Sequence, residues 1–174
     1  MGVNMKNRFK PNDTVMYGGH GACTLVEITS KDFGGEAKDY YVLRPAYSGS
    51  SVFYVPVDSE PLTSKMRSVK SASEIAALVS SCAAFTWKDE DRARQNELKS
   101  IVDGGGTEVL MSAFKCLVEK QKELSEIGKK LRAADDRIMR DIEKLLIEEL
   151  SFSFEVDKDS LIPFLFGETE LTVK

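Results

Sequence analysis

The sequence predicts an α+β protein in which a small, strongly bent β-barrel precedes a helical bundle. Two observations lead to this prediction. Short segments rich in β-forming residues, separated by glycine turns, fill residues 1–70. Longer segments with helical periodicity and charged faces fill residues 71–174. We therefore expect two domains, residues 1–70 and residues 71–174, each with a modest core of its own.

The N-terminal half is predicted to contain four or five short strands. The segments richest in β-formers are residues 14–17, 22–29, 39–44 and 52–57. The glycines between residues 18 and 21 lack the spacing of a phosphate-binding loop, so we interpret them as a β-bulge or a hairpin corner. Pro56 cannot donate a ladder hydrogen bond, and it therefore ends the last strand or places that strand at a sheet edge.

The C-terminal half is predicted to contain three to four amphipathic helices. A short helix follows Ser71, a second runs from about residue 88 to 101, a third is capped by Thr107, and a fourth spans residues 133–150. The predicted apolar stripes are Leu110, Ala113, Phe114, Leu117, Val118 and Leu124 in the third helix, and Ile138, Ile142, Leu145, Leu146 and Leu150 in the fourth. Arg137, Arg140, Asp141, Lys144 and Glu148 are assigned to the solvated face. The aromatic tail, residues 152–166, is expected to pack on the bundle.

Composition and charge exclude several classes of protein. A chain of 174 residues with 42% hydrophobic and 30% charged residues is typical of a soluble globular protein. No apolar run approaches the roughly 18 residues of a membrane span, and the N-terminus does not resemble a signal peptide, so we expect a cytoplasmic protein. The net charge of −4 argues against a protein that coats nucleic acid, so any contact with DNA must be local.

No set of residues has the pattern of a catalytic or metal site. Cys23, Cys82 and Cys116 are far apart, and His20 is the only histidine. A structural zinc site needs about four such ligands at close spacing, so we expect reduced thiols and no metal. We also expect no cofactor, no small-molecule substrate and no enzymatic activity.

Trp87, the only tryptophan, lies where the two halves meet. Residue type favours a structural anchor, because tryptophan is highly buried on average. An exposed wedge for a partner is the alternative. Asp89, Glu90 and Asp91 follow Trp87 directly and reduce the local positive charge.

Several motifs, in their order and spacing, resemble the CarD family of bacterial transcription regulators that bind RNA polymerase. In the N-terminal half they are Phe9, the run from Asp13 to Tyr17, His20-Gly21, the hairpin from Gly35 to Leu43, and Val55-Pro56. This half resembles the family's Tudor-like module, which also occurs in the transcription-repair coupling helicase. The family usually has proline where this chain has Gly18. In the C-terminal half the matching residues are Trp87, Arg92, Arg94, Asn96, Gly104, the helix through residues 114–117, and Glu149-Leu150.

The resemblance implies a non-catalytic regulator that binds the RNA polymerase β subunit and stabilises the open complex at the upstream edge of the bubble. The implied polymerase contacts are Lys31, Phe33, Val52, Phe53, Tyr54 and Val55. Trp87 would be the wedge in the DNA, and the implied phosphate contacts are Lys88, Arg92, Arg94 and Lys99. The acidic run from Asp89 to Asp91 predicts weak binding to promoter DNA alone. The alternative function is a polymerase-docked adaptor whose acidic bundle recruits another protein without contacting DNA.

Overall fold

The chain divides into two compact units, Met1–Val69 and Lys70–Lys174. The structure, a computed structural model, describes residues 8–47 and 49–174. The polar leader at residues 1–7 and Ser48 of the predicted turn lie outside the described residues. We describe each unit by itself.

Five antiparallel strands form the sheet of the N-terminal unit, in the order β4-β3-β2-β1-β5. The predicted closed barrel is not confirmed. A barrel requires its two end strands to pair, and within the described residues β4 and β5 pair only with β3 and β1. The unit is therefore an open sheet with two short edges. The strands are β1 (Thr14–Tyr17), β2 (Ala22–Asp32), β3 (Ala37–Pro45), β4 (Phe53–Pro56) and β5 (Met66–Ser68), and a one-turn helix, α1 (Glu60–Thr63), precedes β5.

The glycine cluster forms the corner between β1 and β2, as the sequence predicts. Residues Gly18–His20 make a single 3-10 turn. Gly18 and Gly21 have φ angles of 48° and 82°, a region that favours glycine because it has no Cβ. The corner also places the His20 ring against the rings of Tyr17 and Phe53, with centroids 5.3 and 4.5 Å away.

One face of the sheet carries the core of this unit. The alternation of side chains along each strand directs Tyr41, Leu43 and Val55 to the same face. Strand β4 ends at Pro56 and lies at the sheet edge, in agreement with the restriction that proline imposes. The buried residues of the core are Phe9, Val15, Tyr17, Cys23, Leu25, Tyr41, Leu43, Val55 and Met66.

Five helices form the C-terminal unit: α2 (Ala72–Ser81), α3 (Asp91–Gly104), α4 (Thr107–Glu126), α5 (Ala133–Leu150) and α6 (Lys158–Leu165). Their core is formed by the stripes that periodicity predicts in α4 and α5, although Val118 and Leu124 are only half-buried. The tail also packs on the bundle, because Phe154, Leu161, Phe164 and Leu165 are buried. No described helix has both the length and the apolar character that a membrane crossing needs.

Three local predictions for the helical unit are wrong. Helix α3 begins at Asp91 instead of Lys88, because Glu90 provides the cap. Thr107 does not cap α4, since it is the first helical residue and its hydroxyl donates to Glu149. Glu148 is buried instead of solvated, with its carboxylate 3.7 Å from the Lys144 ammonium.

Candidate functional site

A cluster of three aromatic rings lies at the β2–β3 hairpin and β4. The rings of Phe33, Tyr40 and Tyr54 meet edge to face, with centroid separations of 5.1 Å (Phe33–Tyr40), 5.4 Å (Phe33–Tyr54) and 6.5 Å (Tyr40–Tyr54). Phe33 is 61% exposed and Tyr54 is 40% exposed. The Lys31 ammonium lies 4.7 Å from the Tyr54 ring centroid. We call these four side chains the aromatic face.

The hairpin turn positions Phe33. One carboxylate oxygen of Asp32 accepts hydrogen bonds from the Gly34 and Gly35 amides, at 3.0 and 2.6 Å. The Gly35 bond and then the Gly34 bond hold the pKa of the Asp32 carboxyl below its ordinary value. Gly35 has a φ angle of 100°, so the turn needs glycine at this position. The turn therefore holds Phe33 beside the exposed surface of the sheet.

The structure brings together three of the six predicted polymerase contacts, namely Lys31, Phe33 and Tyr54. Val55 is only 1% exposed and belongs to the core, so its side chain cannot reach a partner. Phe53 is half-buried and packs against that core. Val52 is exposed immediately before β4. Sequence reasoning missed Tyr40, although the alternation of β3 already places it on the face opposite to Tyr41.

In the helical unit, Trp87 is half-buried and lies close to two cationic side chains. The Arg94 guanidinium carbon lies 4.2 Å from the indole centroid and the Lys120 ammonium lies 5.4 Å from it. Both distances are within the range of cation–π attraction, which stabilises such contacts by about 0.5–2 kcal/mol. Trp87 is thus neither a core residue nor a free side chain. We call Trp87, Arg94 and Lys120 the tryptophan cluster.

Arg94 is the centre of a buried network of ion pairs. It is 2% exposed, and its guanidinium contacts Asp135 at 2.7 Å and Asp91 at 2.7 Å. It also donates to the Lys88 carbonyl at 2.7 Å. Burial lowers the pKa of Arg94, but the hydrogen bonds to Asp135 and Asp91 outweigh this effect and the pKa is raised. The prediction that Arg94 contacts a phosphate is therefore corrected, because its donors already bind residues of the same unit.

The acidic residues after Trp87 have structural roles. The Glu90 carboxylate accepts from the Arg92 and Ala93 amides at 3.1 and 2.5 Å, which caps α3. Asp91 lies in the first turn of α3, where the helix dipole favours an acid, and it also pairs with Arg132 at 2.8 Å. Two of the three acids are thus explained by the start of α3.

The remaining predicted phosphate contacts are exposed. The Lys88 ammonium pairs with Glu97 at 2.6 Å. Arg92 and Lys99 make no ion pair with any residue that the structure describes. Lys99 lines a shallow groove between α3 and α5 together with Val102, Ala134, Arg137, Ile138 and Asp141. The structure therefore leaves Arg92 and Lys99 as the accessible cations of the predicted set.

Sequence reasoning missed Asp135 as the partner of Arg94, and Glu149 as the acceptor from the Thr107 hydroxyl. The pattern of charges along α5 identifies Asp135 as a first-turn acid, but only the packing of α3 against α5 shows its pairing with Arg94. The three cysteines form no disulfide bond. Among residues 8–47 and 49–174, no group of three or more His, Cys, Asp or Glu side chains is placed to hold a metal ion.

Comparison with protein families gives one match, to the CarD-like/TRCF RID domain, over residues 9–70. Residues 9–70 thus match the CarD-like family. The resemblance predicted from the sequence is confirmed over these residues, and the matched segment ends before the helical unit. A search of curated proteins found no match to the chain.

The match supports a broad function for the chain. Domains of the matched family are protein-interaction modules, and the match points to a transcription-related protein that interacts with RNA polymerase. The aromatic face and the β4 edge both lie within the matched residues.

Proposed function

We propose that this protein is a non-catalytic transcription regulator of the bacterial cytoplasm. Its RID domain binds the RNA polymerase β subunit, and its helical unit contacts promoter DNA at the upstream edge of the bubble and stabilises the open complex. The observation that carries the proposal is the RID match, because it covers an exposed aromatic face and the β4 edge, which pairs with no further strand among the described residues.

Docking on the polymerase would use β4 and the aromatic face. An edge strand presents unpaired backbone groups, to which a strand of a partner can add. Val52, Phe53 and Tyr54 lie at or beside this edge. The backbone of Val55 would contribute through strand pairing, since its side chain is in the core. Phe33 and Tyr54 would supply the side-chain contacts that select the partner.

Contact with DNA would use Trp87 as the wedge and Arg92 and Lys99 as the phosphate contacts. Lys88 would contact a phosphate only after its ion pair with Glu97 breaks. An apolar side chain inserted at an unstacked base step makes a kinked duplex less costly. Arg94 would act as a positioning residue, because it contacts the indole and binds the Lys88 carbonyl of the same loop. The two earlier interpretations of Trp87 are thereby joined, since the ring is held by Arg94 and Lys120 and is still partly exposed.

The few accessible cations predict weak binding to DNA. Each phosphate contact changes the salt dependence of binding by about one unit of slope, so two or three contacts give a shallow dependence and a low affinity. Docking on the polymerase would compensate for this low affinity for DNA, because it raises the effective concentration of the helical unit at the promoter, often to the millimolar range.

Replacing Trp87 with alanine is expected to shorten the half-life of the open complex about tenfold, equivalent to about 1.4 kcal/mol. The measurement is the decay of polymerase–promoter complexes after addition of a competitor. Ile127→Ala is the matched control, because Ile127 is an exposed apolar residue of the same unit. An unchanged half-life for Trp87→Ala, with polymerase binding retained, would show that Trp87 is not a wedge.

A second candidate function is an adaptor that docks on polymerase without contacting DNA. Two observations favour it. Residues 71–174 contain fifteen basic and twenty-one acidic residues. Cations beside Trp87 in the chain or in space are also engaged, Arg94 with Asp135, Lys88 with Glu97, and Lys120 with Glu123 at 3.0 Å. Binding to a forked promoter duplex over a series of salt concentrations separates the two functions, because the adaptor would show no salt-dependent binding.

A further inference from the structure

The aromatic face already contains a cation. The Lys31 ammonium lies 4.7 Å from the ring centroid of Tyr54 and 6.0 Å from that of Phe33, and it donates a hydrogen bond of 3.3 Å to the Tyr54 hydroxyl. Ring faces attract cations because their quadrupole is negative there. The arrangement is thus a cation site that the chain's own lysine occupies.

The surrounding charge favours a cation as well. Residues 22–63, which include the hairpin and β4, contain six acidic and three basic residues. Lys38 is engaged by Asp58 at 3.1 Å, and the hydrogen bond to Asp58 raises the pKa of Lys38. Glu27 and Glu36 are exposed and form no ion pair within the described residues, although the charge of Glu36 also contributes to the raised pKa of Lys38. The segment that carries the rings therefore has more acidic than basic side chains.

We propose that the aromatic face is a recognition site for one basic side chain of a protein partner, which displaces Lys31 from the rings. This inference rests on the proposed docking function and adds the chemistry of the partner. An arginine is the best occupant, because its planar guanidinium stacks on aromatic rings and is more weakly hydrated than an ammonium. The β4 edge would pair with the strand that carries this side chain.

The proposal changes the role of Lys31. A lysine that contacts the partner directly would strengthen binding, whereas a lysine that occupies the site must be displaced and weakens it. The variant Lys31→Met keeps the aliphatic stem and removes the charge. We expect Lys31→Met to bind RNA polymerase core enzyme about threefold more tightly than the unmodified chain, because displacing a cation–π contact no longer opposes binding. Weaker binding of Lys31→Met would overturn the proposal.

A peptide titration tests the site without polymerase. The probe is a hexa-arginine peptide, and its matched control is hexa-citrulline, a neutral isostere. We expect the arginine peptide to shift the ring NMR signals of Phe33, Tyr40 and Tyr54, with an affinity about tenfold above that of the citrulline peptide. Phe33→Leu should reduce the arginine response, and Tyr47→Leu, which alters an exposed aromatic residue outside the cluster, should not.

The two experiments distinguish the failure of each proposal. Equal responses to both peptides, or a response that Phe33→Leu leaves unchanged, would overturn the cation site even if the chain binds polymerase. Failure of the unmodified chain to bind polymerase would instead contradict the proposed function, whatever the peptide titration shows.

Discussion

Replacing Arg94 with alanine is expected to lower the free energy of unfolding of the helical unit by about 3–5 kcal/mol. The substitution leaves Asp135, which is 1% exposed, as a buried carboxylate without its guanidinium partner. Removing one member of a buried ion pair destabilises the fold by more than the intact pair stabilises it, because the remaining charge is buried without hydration or a partner. The measurement is urea unfolding followed by far-UV circular dichroism, which reports mainly on the helices.

Arg92→Ala is the control for this prediction. Arg92 lies two residues away on the same helix, is exposed, and makes no described ion pair, so its substitution should change the stability by no more than about 0.5 kcal/mol. Arg94→Lys keeps the charge but cannot form the same fork of hydrogen bonds, and it should give an intermediate loss. Equal stabilities of Arg94→Ala and Arg92→Ala would contradict the buried network.

Replacing Glu149 with alanine is expected to destabilise the helical unit by about 2–4 kcal/mol. The Glu149 carboxylate is fully buried, and it accepts hydrogen bonds from the Lys70 amide at 3.1 Å and the Thr107 hydroxyl at 3.0 Å. Alanine would leave these two donors unsatisfied. The carboxylate also lies at the first turn of α4, where the helix dipole favours negative charge.

Glu149→Gln separates hydrogen bonding from charge. Its amide oxygen can still accept from both donors, so we expect a loss of about 1 kcal/mol. Asp141→Ala removes an exposed carboxylate from the same helix, and a change within about 0.5 kcal/mol is expected. Equal urea midpoints of unfolding for Glu149→Ala and Asp141→Ala would contradict this prediction. They would show that the buried carboxylate at the end of α5 does not stabilise the start of α4.

Periodicity predicted the helical core well because it reports directly on the side chains that share a helix face. Ile138, Ile142 and Leu146 repeat at helical spacing, and all three are buried. The closed barrel is not confirmed, and the sequence could not decide it, because closure depends on pairing between distant strands. Short strands and glycine turns are equally compatible with an open sheet, and no local pattern records whether β4 meets β5.

The roles of charged residues were the hardest to predict from the sequence. Arg94 lies among charged residues on a helix, a pattern that usually indicates a solvated face, and only the approach of α5 buries it against Asp135. The acids after Trp87 likewise suggested a weakened DNA contact, whereas Glu90 forms the helix cap. The rings of Phe33 and Tyr54, both assigned to the implied polymerase surface, do meet, and their contact with a partner stays a prediction.

Binding of the chain to the isolated β lobe of RNA polymerase tests the central claim most directly. We predict a stoichiometric complex by size-exclusion chromatography and calorimetry. Phe33→Ala should weaken it at least tenfold by removing the most exposed ring of the aromatic face. Tyr47→Ala, at an exposed position outside that face, should bind normally. The absence of a complex with the unmodified chain, or equal binding by Phe33→Ala and Tyr47→Ala, would contradict docking through the aromatic face.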